Sequence, residues 1–294
     1  LVLMAGFHSQ LEDWIRQACL LEVRSPKPGN VSPADSFEDA SAVDFERSAA
    51  IIAPILGSHT ADSVGTRILQ AVSATRDAVG HNTNLGIVLL LTPLACVSAD
   101  TNLQSGICTV LQNLTIDDAA LVYEAIRVAA PGGLGRSNAQ DVHEWPTVNL
   151  LQCMRLAAER DQIAAQYANN YADVFGTGLG LLQQTKSWDR HTDKRLAWVA
   201  LSLISHCGDS LIARKCGAEI AAETQVRAGR VLQADWPFAA AATEMYESFD
   251  QFLRADGNRR NPGTTADMIA AIIFAALRDG ICVANASETQ LVFS

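Results

Sequence analysis

Strict alternation of apolar and polar residues, the mark of a half-buried strand, is almost missing from this chain. Only Gln290 to Phe293 reads as extended. Elsewhere apolar residues recur three and four apart, as Trp14, Ile15, Ala18 and Leu21 do, and clusters of glycine and proline cut the pattern into segments. The spacing predicts helices over Gln10–Val23, Asp44–Leu56, Asp62–Val79, from Leu85, over Thr101–Leu114, Ile116–Ala130, Thr147–Asn169, Asp189–His206, Asp209–Leu232 and Ala239–Arg254, and a last one to Arg278. Ser41 and Thr115 stand as caps, Thr264 and Asp267 fit a capping box, and Gly176, Gly178 and Gly180 read as a turn. The expectation is an all-α fold. It is a single globular domain of about ten helices over residues 1–294, its site at converging helix ends.

The stretch from Gly80 to Val97 is the most informative. Gly80 ends one helix, and Asn82, Thr83 or Asn84 caps the next. That next helix, from Leu85, is too apolar to face water. A polar helix start backed by an apolar helix can hold an anion, and it is equally an ordinary capped core helix.

Composition narrows the partners. Hydrophobic residues make up 49% and charged ones 18%, which excludes a disordered chain. A formal net charge of −10 argues against nucleic-acid partners and against anionic membranes. A polyanionic ligand would need local cations or a divalent metal. The seven cysteines are irregularly spaced with no C-x-x-C, so we expect free thiols, a reducing cytoplasmic setting and no zinc site. Leu1–Phe7 is too short for a signal core, and Pro93 interrupts an apolar run about half the length of a bilayer span. His59, His191 and His206 have no partner at metal spacing and read as structural. Self-association into a homo-oligomer is compatible with the sequence.

Five loop-to-helix junctions share one chemistry. They are Glu22 with Pro26–Asn30, Asp44, His81–Gly86, Gly208-Asp209 with Arg214-Lys215, and Asn261–Asp267. Carboxylates at Glu22, Asp44, Asp209 and Asp267, with cations at Lys27, Arg214, Lys215, Arg259 and Arg260, suit a Mg²⁺–polyphosphate site if the ends converge. Taken singly, Asp209 and Asp267 are equally helix-start residues that complement the dipole, and Arg214-Lys215 a solvated face. The long polar loop from Pro131 to Pro146 is functional or mobile.

The junctions carry a resemblance. Glu22 with Pro26-Lys27-Pro28-Gly29-Asn30-Val31 resembles E…PKPGLV, and Val43-Asp44-Phe45 with Ser48-Ala49 resembles D-M-D-F…S-A. Asn82-Thr83-Asn84-Leu85-Gly86 is similar to N-T-H-K-G, Asp209-Ser210-Leu211 with Arg214 to D-T-N…R, and Asn261–Asp267 to S-P-G-G-S-A-D. These are motifs of the triphosphoribosyl-dephospho-CoA synthase family, in the same order. Asn84-Leu85 stands where that family has His-Lys, and Ser32 where it has Asp.

The resemblance implies an all-helical pentosyltransferase that uses ATP as substrate and Mg²⁺. A ribose hydroxyl of dephospho-CoA would attack C1 of the ATP ribose, adenine would leave, and the triphosphate would stay on the product. Glu22 and Asp44 are the catalytic candidates. Lys27, Gly29, Asn30, Asn82, Thr83, Asn84, Arg214, Lys215, Arg260, Gly263 and Thr264 would hold nucleotide and phosphate, and Asp44, Asp209 and Asp267 the metal. Two alternatives stay open: transfer to another acceptor, such as a precursor of a one-carbon-carrying pterin, and a helical protein that binds nucleotide, or a partner, without catalysis.

Overall fold

The computed structural model describes residues 2–58, 60, 62–188, 192–285 and 287–293. His59, Asp189 and His191, and with Asp189 the expected start of one helix, lie outside the described residues. Fourteen α-helices follow one another among those described. They are α1 (Val2–Arg24), α2 (Ala42–Leu56), α3 (Val64–Val79), α4 (Leu85–Ala95), α5 (Leu103–Gln112), α6 (Ile116–Ala129) and α7 (Leu150–Ala157). Then come α8 (Gln162–Ala168), α9 (Leu179–Gln184), α10 (Arg195–Cys207), α11 (Ser210–Cys216), α12 (Ala218–Gln233), α13 (Ala242–Arg254) and α14 (Gly263–Arg278). The only described strands, β1 (Cys282–Ala284) and β2 (Leu291–Phe293), pair antiparallel. Among the described residues no single helix is long and apolar enough to cross a membrane.

The count exceeds the expected number because two long segments break and α9 forms where a turn was expected. Residues 147–169 split into α7 and α8 at Asp161, whose carboxylate caps α8 by accepting from the Ile163 and Ala164 N–H groups. Residues 209–232 split at Gly217, which sits at φ 89°, between α11 and α12. Ahead of α10, Thr192–Lys194 forms a short 3-10 turn. The glycines expected to make a turn instead lie in a π-helical segment, Asp173–Gly178, that runs into α9. Gly178 is needed there because a β-carbon would press into Ile272 of α14.

The core is built around α14 and α4. Nearly every residue of α14 from Thr264 to Leu277 is buried, and it packs on α1, α4, α10 and α11. A helix apolar on all sides is stable only when surrounded. In α4, Pro93 has no N–H for the carbonyl of Leu89 and its ring crowds the turn below. Two buried tyrosines repair the damage: Tyr167 donates its hydroxyl to Leu89 O at 2.6 Å and Tyr171 to Leu90 O at 2.9 Å. The pair thereby fixes α8 and the segment after it against α4. Asp118 does similar work between α6 and α3. It closes the Thr115 cap and accepts the Gly65 N–H at 2.8 Å. A smaller apolar cluster of α10, α12 and α13 around Trp236 shares α10 with the main core.

Candidate functional site

The chain after α1 turns on Ser25–Asn30. Lys27, almost completely buried, points back under the helix end, where its Nζ lies 3.0 Å from Glu22 Oε1 and donates to the Glu22 and Ser25 carbonyls. These are the last-turn carbonyls that a helix end leaves unpaired. Burial pushes the Glu22 carboxyl up from its ordinary value, and Lys27 beside it pulls it back. Gly29 is required twice: its φ is 70°, and a β-carbon would collide with Leu253 of α13. Its N–H bonds Asp250 at 2.7 Å, and Arg254 binds the Asn30 carbonyl at 3.0 Å, so α13 holds the loop in place.

The segment before α4 is also fixed by short contacts. Asn82 accepts the Leu85 N–H, Thr83 shares a 2.6 Å hydroxyl contact with Ser48 of α2, and Asn84 reaches Thr75 of α3. The sequence left three candidates for this cap, and Asn82 supplies the side-chain bond.

Asp209 joins the starts of α11 and α14. Its Oδ1 accepts from the Leu211 and Ile212 N–H groups, and its Oδ2 from the Thr265 N–H and hydroxyl at 2.8 Å each. Ser210 bonds Thr264 across the same junction. Burial pushes the Asp209 carboxyl up, while its four donors oppose the shift.

These ends open on one cavity of about 1410 Å³. Glu22, Asn30, Asn82, Thr83, Asn84, Asp209, Arg214, Lys215, Gly263, Thr264 and Asp267 line it. So most of the expected residues do converge. Four do not. Lys27 lies behind Glu22 with its ammonium spent on the pair and two carbonyls. Gly29 is packed on α13, and Arg260 lies over the Phe252 ring and bonds its carbonyl. Asp44 closes the cap of α2, accepting from the Ser41 N–H and hydroxyl, bonds that hold its carboxyl below the usual range.

The expected metal ligands need a second correction. Asp44 and Asp209 are both occupied as caps, and among the described residues no group of three or more His, Cys, Asp or Glu side chains could hold an ion. Asp267, by contrast, caps no helix. The cap position of α14 is Pro262, and the Asp267 carboxylate lies one turn in, against Gly86 at the start of α4. A β-carbon on Gly86 would overlap that carboxylate. No described residue donates a hydrogen bond to it.

Sequence reasoning underrated one further part of the wall. The turn Pro131–Arg136 and Arg160 before α8 face the same space. Gly133, at φ 74°, brings this turn down on Arg214 and Lys215, and a β-carbon there would lie 3.3 Å from the Arg214 stem. Five cations therefore line the cavity: Arg136, Arg160, Arg214, Lys215 and Arg259. Among the described residues Lys215 bonds only the neutral Asn261 side chain, at 3.2 Å, and burial with Arg214 nearby lowers its pKa. The signal was the glycine run ending in Arg136, read only as a mobile or functional loop. The His81 ring also faces the cavity, and its Nε2 has no partner among the described residues.

The family model for CitG, ATP:dephospho-CoA triphosphoribosyl transferase, matches residues 8–283. The chain belongs to this family. It is thus a transferase of the triphosphoribosyl-dephospho-CoA synthase class, with ATP and dephospho-CoA as the family's substrates. A crystal structure of an Archaeoglobus fulgidus protein, provisionally described as a triphosphoribosyl-dephospho-CoA synthase, is similar to it. The TM-score is 0.61 at 26% identity, over 80% of this chain and 98% of that one. A comparison with curated proteins gave no match. Within the synthase family this chain carries Asn84-Leu85 at the start of α4, so α4 itself brings no cation to the cavity, and those present come from α11 and three loops.

Proposed function

We propose that this cavity is where the chain transfers the triphosphoribosyl group of ATP to dephospho-CoA. One observation carries the reading: eight carboxylates also line the 1410 Å³ cavity, yet five cations, Arg136, Arg160, Arg214, Lys215 and Arg259, share its wall. A pocket of about 300–1,000 Å³ suits one drug-sized ligand, so this space accommodates two nucleotides together. The two substrates carry a triphosphate and a diphosphate, and fixed cations are what such groups require. That the two apolar clusters share α10 supports reading the chain as one domain.

Each wall then has a task. Arg214, Lys215 and Arg259, with the Gly132–Gly135 turn, hold the triphosphate, and Arg136 and Arg160 face the acceptor's diphosphate. Asn82, Thr83 and Asn84 orient sugar and base groups through the rigid start of α4. Glu22 faces the cavity with Lys27 fixing its rotamer, so its carboxylate is held ready for charge that develops on the ribose. Cleavage at C1 gives the sugar oxocarbenium character, which a nearby carboxylate stabilises. Lys27 and Gly29 act from behind, by shaping the loop.

The carboxylates expected to hold magnesium do not form a protein cage. Mg²⁺ would arrive on the triphosphate, with phosphate and water oxygens as its main ligands, as this ion commonly binds. It would neutralise charge there, and no step is assigned to it.

The test is product analysis with ATP and dephospho-CoA. We expect adenine in step with acceptor consumed, and no phosphate or pyrophosphate. Stoichiometric phosphate without adenine would replace the reading with a kinase- or ligase-like reaction.

A further inference from the structure

We propose that Asp267 is the group that takes the proton from the attacking hydroxyl of the acceptor. This rests on the transferase reading above and assigns one step of it.

The carboxylates around the cavity fall into three sets. Glu38, Asp39 and Glu159 are exposed at its rim. Glu22, Asp141, Asp161 and Asp209 are committed: the first to Lys27, the other three to backbone N–H groups. Asp267 is the remaining one. It is partly exposed, faces the cavity, and accepts a hydrogen bond from no described residue. A carboxylate stripped of donors is costly to keep in a fold, and its lone pairs are free for a substrate proton.

The fold holds this group in place without bonding it. Asp267 stands one turn into α14, the most buried helix, and its carboxylate rests on the bare α-carbon of Gly86. Ile163 approaches the same point from α8. A side chain set by its place on α14 and its contact with α4, and not by donors, suits a base whose oxygen must stay open.

Burial pushes the Asp267 carboxyl well above the ordinary range, and the charges of Glu22, Asp209 and Asp161 push the same way while Arg214 opposes them. Those four face it from α1, α8 and α11, and α4 has no charged residue.

In the step, the acceptor O–H gives its proton to Asp267, and the oxygen lone pair forms a bond to C1 of the ATP ribose. The C1–N9 bond breaks with its electron pair going to adenine. Adenine takes up one proton, returned from Asp267 directly or through water, and leaves neutral. No electron is gained or lost overall.

The experiment compares wild type, Asp267→Asn and Asp267→Ala in steady-state adenine release, with MgATP binding measured separately. Removal of a general base lowers turnover by roughly 10²–10⁴-fold. We expect that loss in kcat for both variants, a MgATP affinity within about threefold of wild type, partial recovery of Asp267→Ala by added formate, and a Tm for Asp267→Asn no lower than wild type, since no hydrogen bond from a described residue is lost. Asp267→Asn turning over within tenfold of wild type, or a defect confined to MgATP affinity, would overturn the assignment. If Asp267→Ala does not fold, the near-isosteric Asn variant carries the test. A wild type that releases no adenine defeats the transferase reading instead.

Discussion

Replacing Asp209 separates two accounts of its carboxylate. In the structure its oxygens are filled by four donors that join α11 to α14. Asp209→Ala removes the cap of α11, about 1 kcal/mol. It also leaves the buried N–H and hydroxyl of Thr265 without an acceptor, roughly 1–3 kcal/mol for each group left unsatisfied. Relief of the desolvation cost and water entering from the cavity offset part of this, so we expect a net loss of about 3–4 kcal/mol. Asp209→Asn keeps one oxygen for the cap and turns an N–H₂ toward Thr265, so it should lose about half as much. At about 2–4 °C per kcal/mol for chains of this general size, Asp209→Ala lowers Tm by roughly 6–16 °C. The assay is thermal unfolding by circular dichroism with no nucleotide or metal present. A variant within about 2 °C of wild type would refute the double-cap account. If only the stabilisation by MgATP disappeared, Asp209 would be a metal ligand after all.

Three further outcomes follow from the same geometry. Asp44→Ala loses a helix cap worth about 1 kcal/mol and lowers Tm by a few degrees, yet leaves adenine release close to wild type; a hundredfold loss of kcat with intact folding would restore Asp44 to the site. Glu22→Gln leaves the Lys27 ammonium buried without its counter-charge, so unfolding in urea should show a loss of roughly 3–5 kcal/mol together with a fall in kcat larger than the rise in KM for ATP. Arg214→Ala and Lys215→Ala sit at the cavity edge and should barely change Tm, while each raises KM for ATP about tenfold or more; unchanged KM in both would remove the triphosphate from that wall.

The fold class was legible because helical spacing is a local property, and α2, α3, α6 and α14 begin or end close to where caps and glycines place them. Helix continuity was less so. Asp161 and Gly217 interrupt segments whose apolar spacing continues on both sides, and the pattern cannot show that a carboxylate turns back to cap a new helix. The paired π-segment and α9 hid behind three glycines, one of which is there to pass Ile272. For the site, the junction motifs marked the correct chain segments. They did not show which polar group faces the cavity and which stabilises its own turn. Lys27 and Asp44 do the second, and nothing in a motif separates the two roles. Asp267 was read as the acid of a capping box, because Thr264 precedes it at the right spacing. In three dimensions α14 starts at Gly263, and Asp267 projects where only a neighbouring helix, bare at Gly86, leaves room.

The central claim is that ribose triphosphate, not phosphate or adenylate, moves to the acceptor. Mass spectrometry of the coenzyme product after incubation with MgATP tests it most directly. The expected product has the mass of dephospho-CoA plus ATP less adenine and forms one-to-one with free adenine. A product heavier by one phosphoryl or one adenylyl group, with adenine still in the nucleotide, would contradict it.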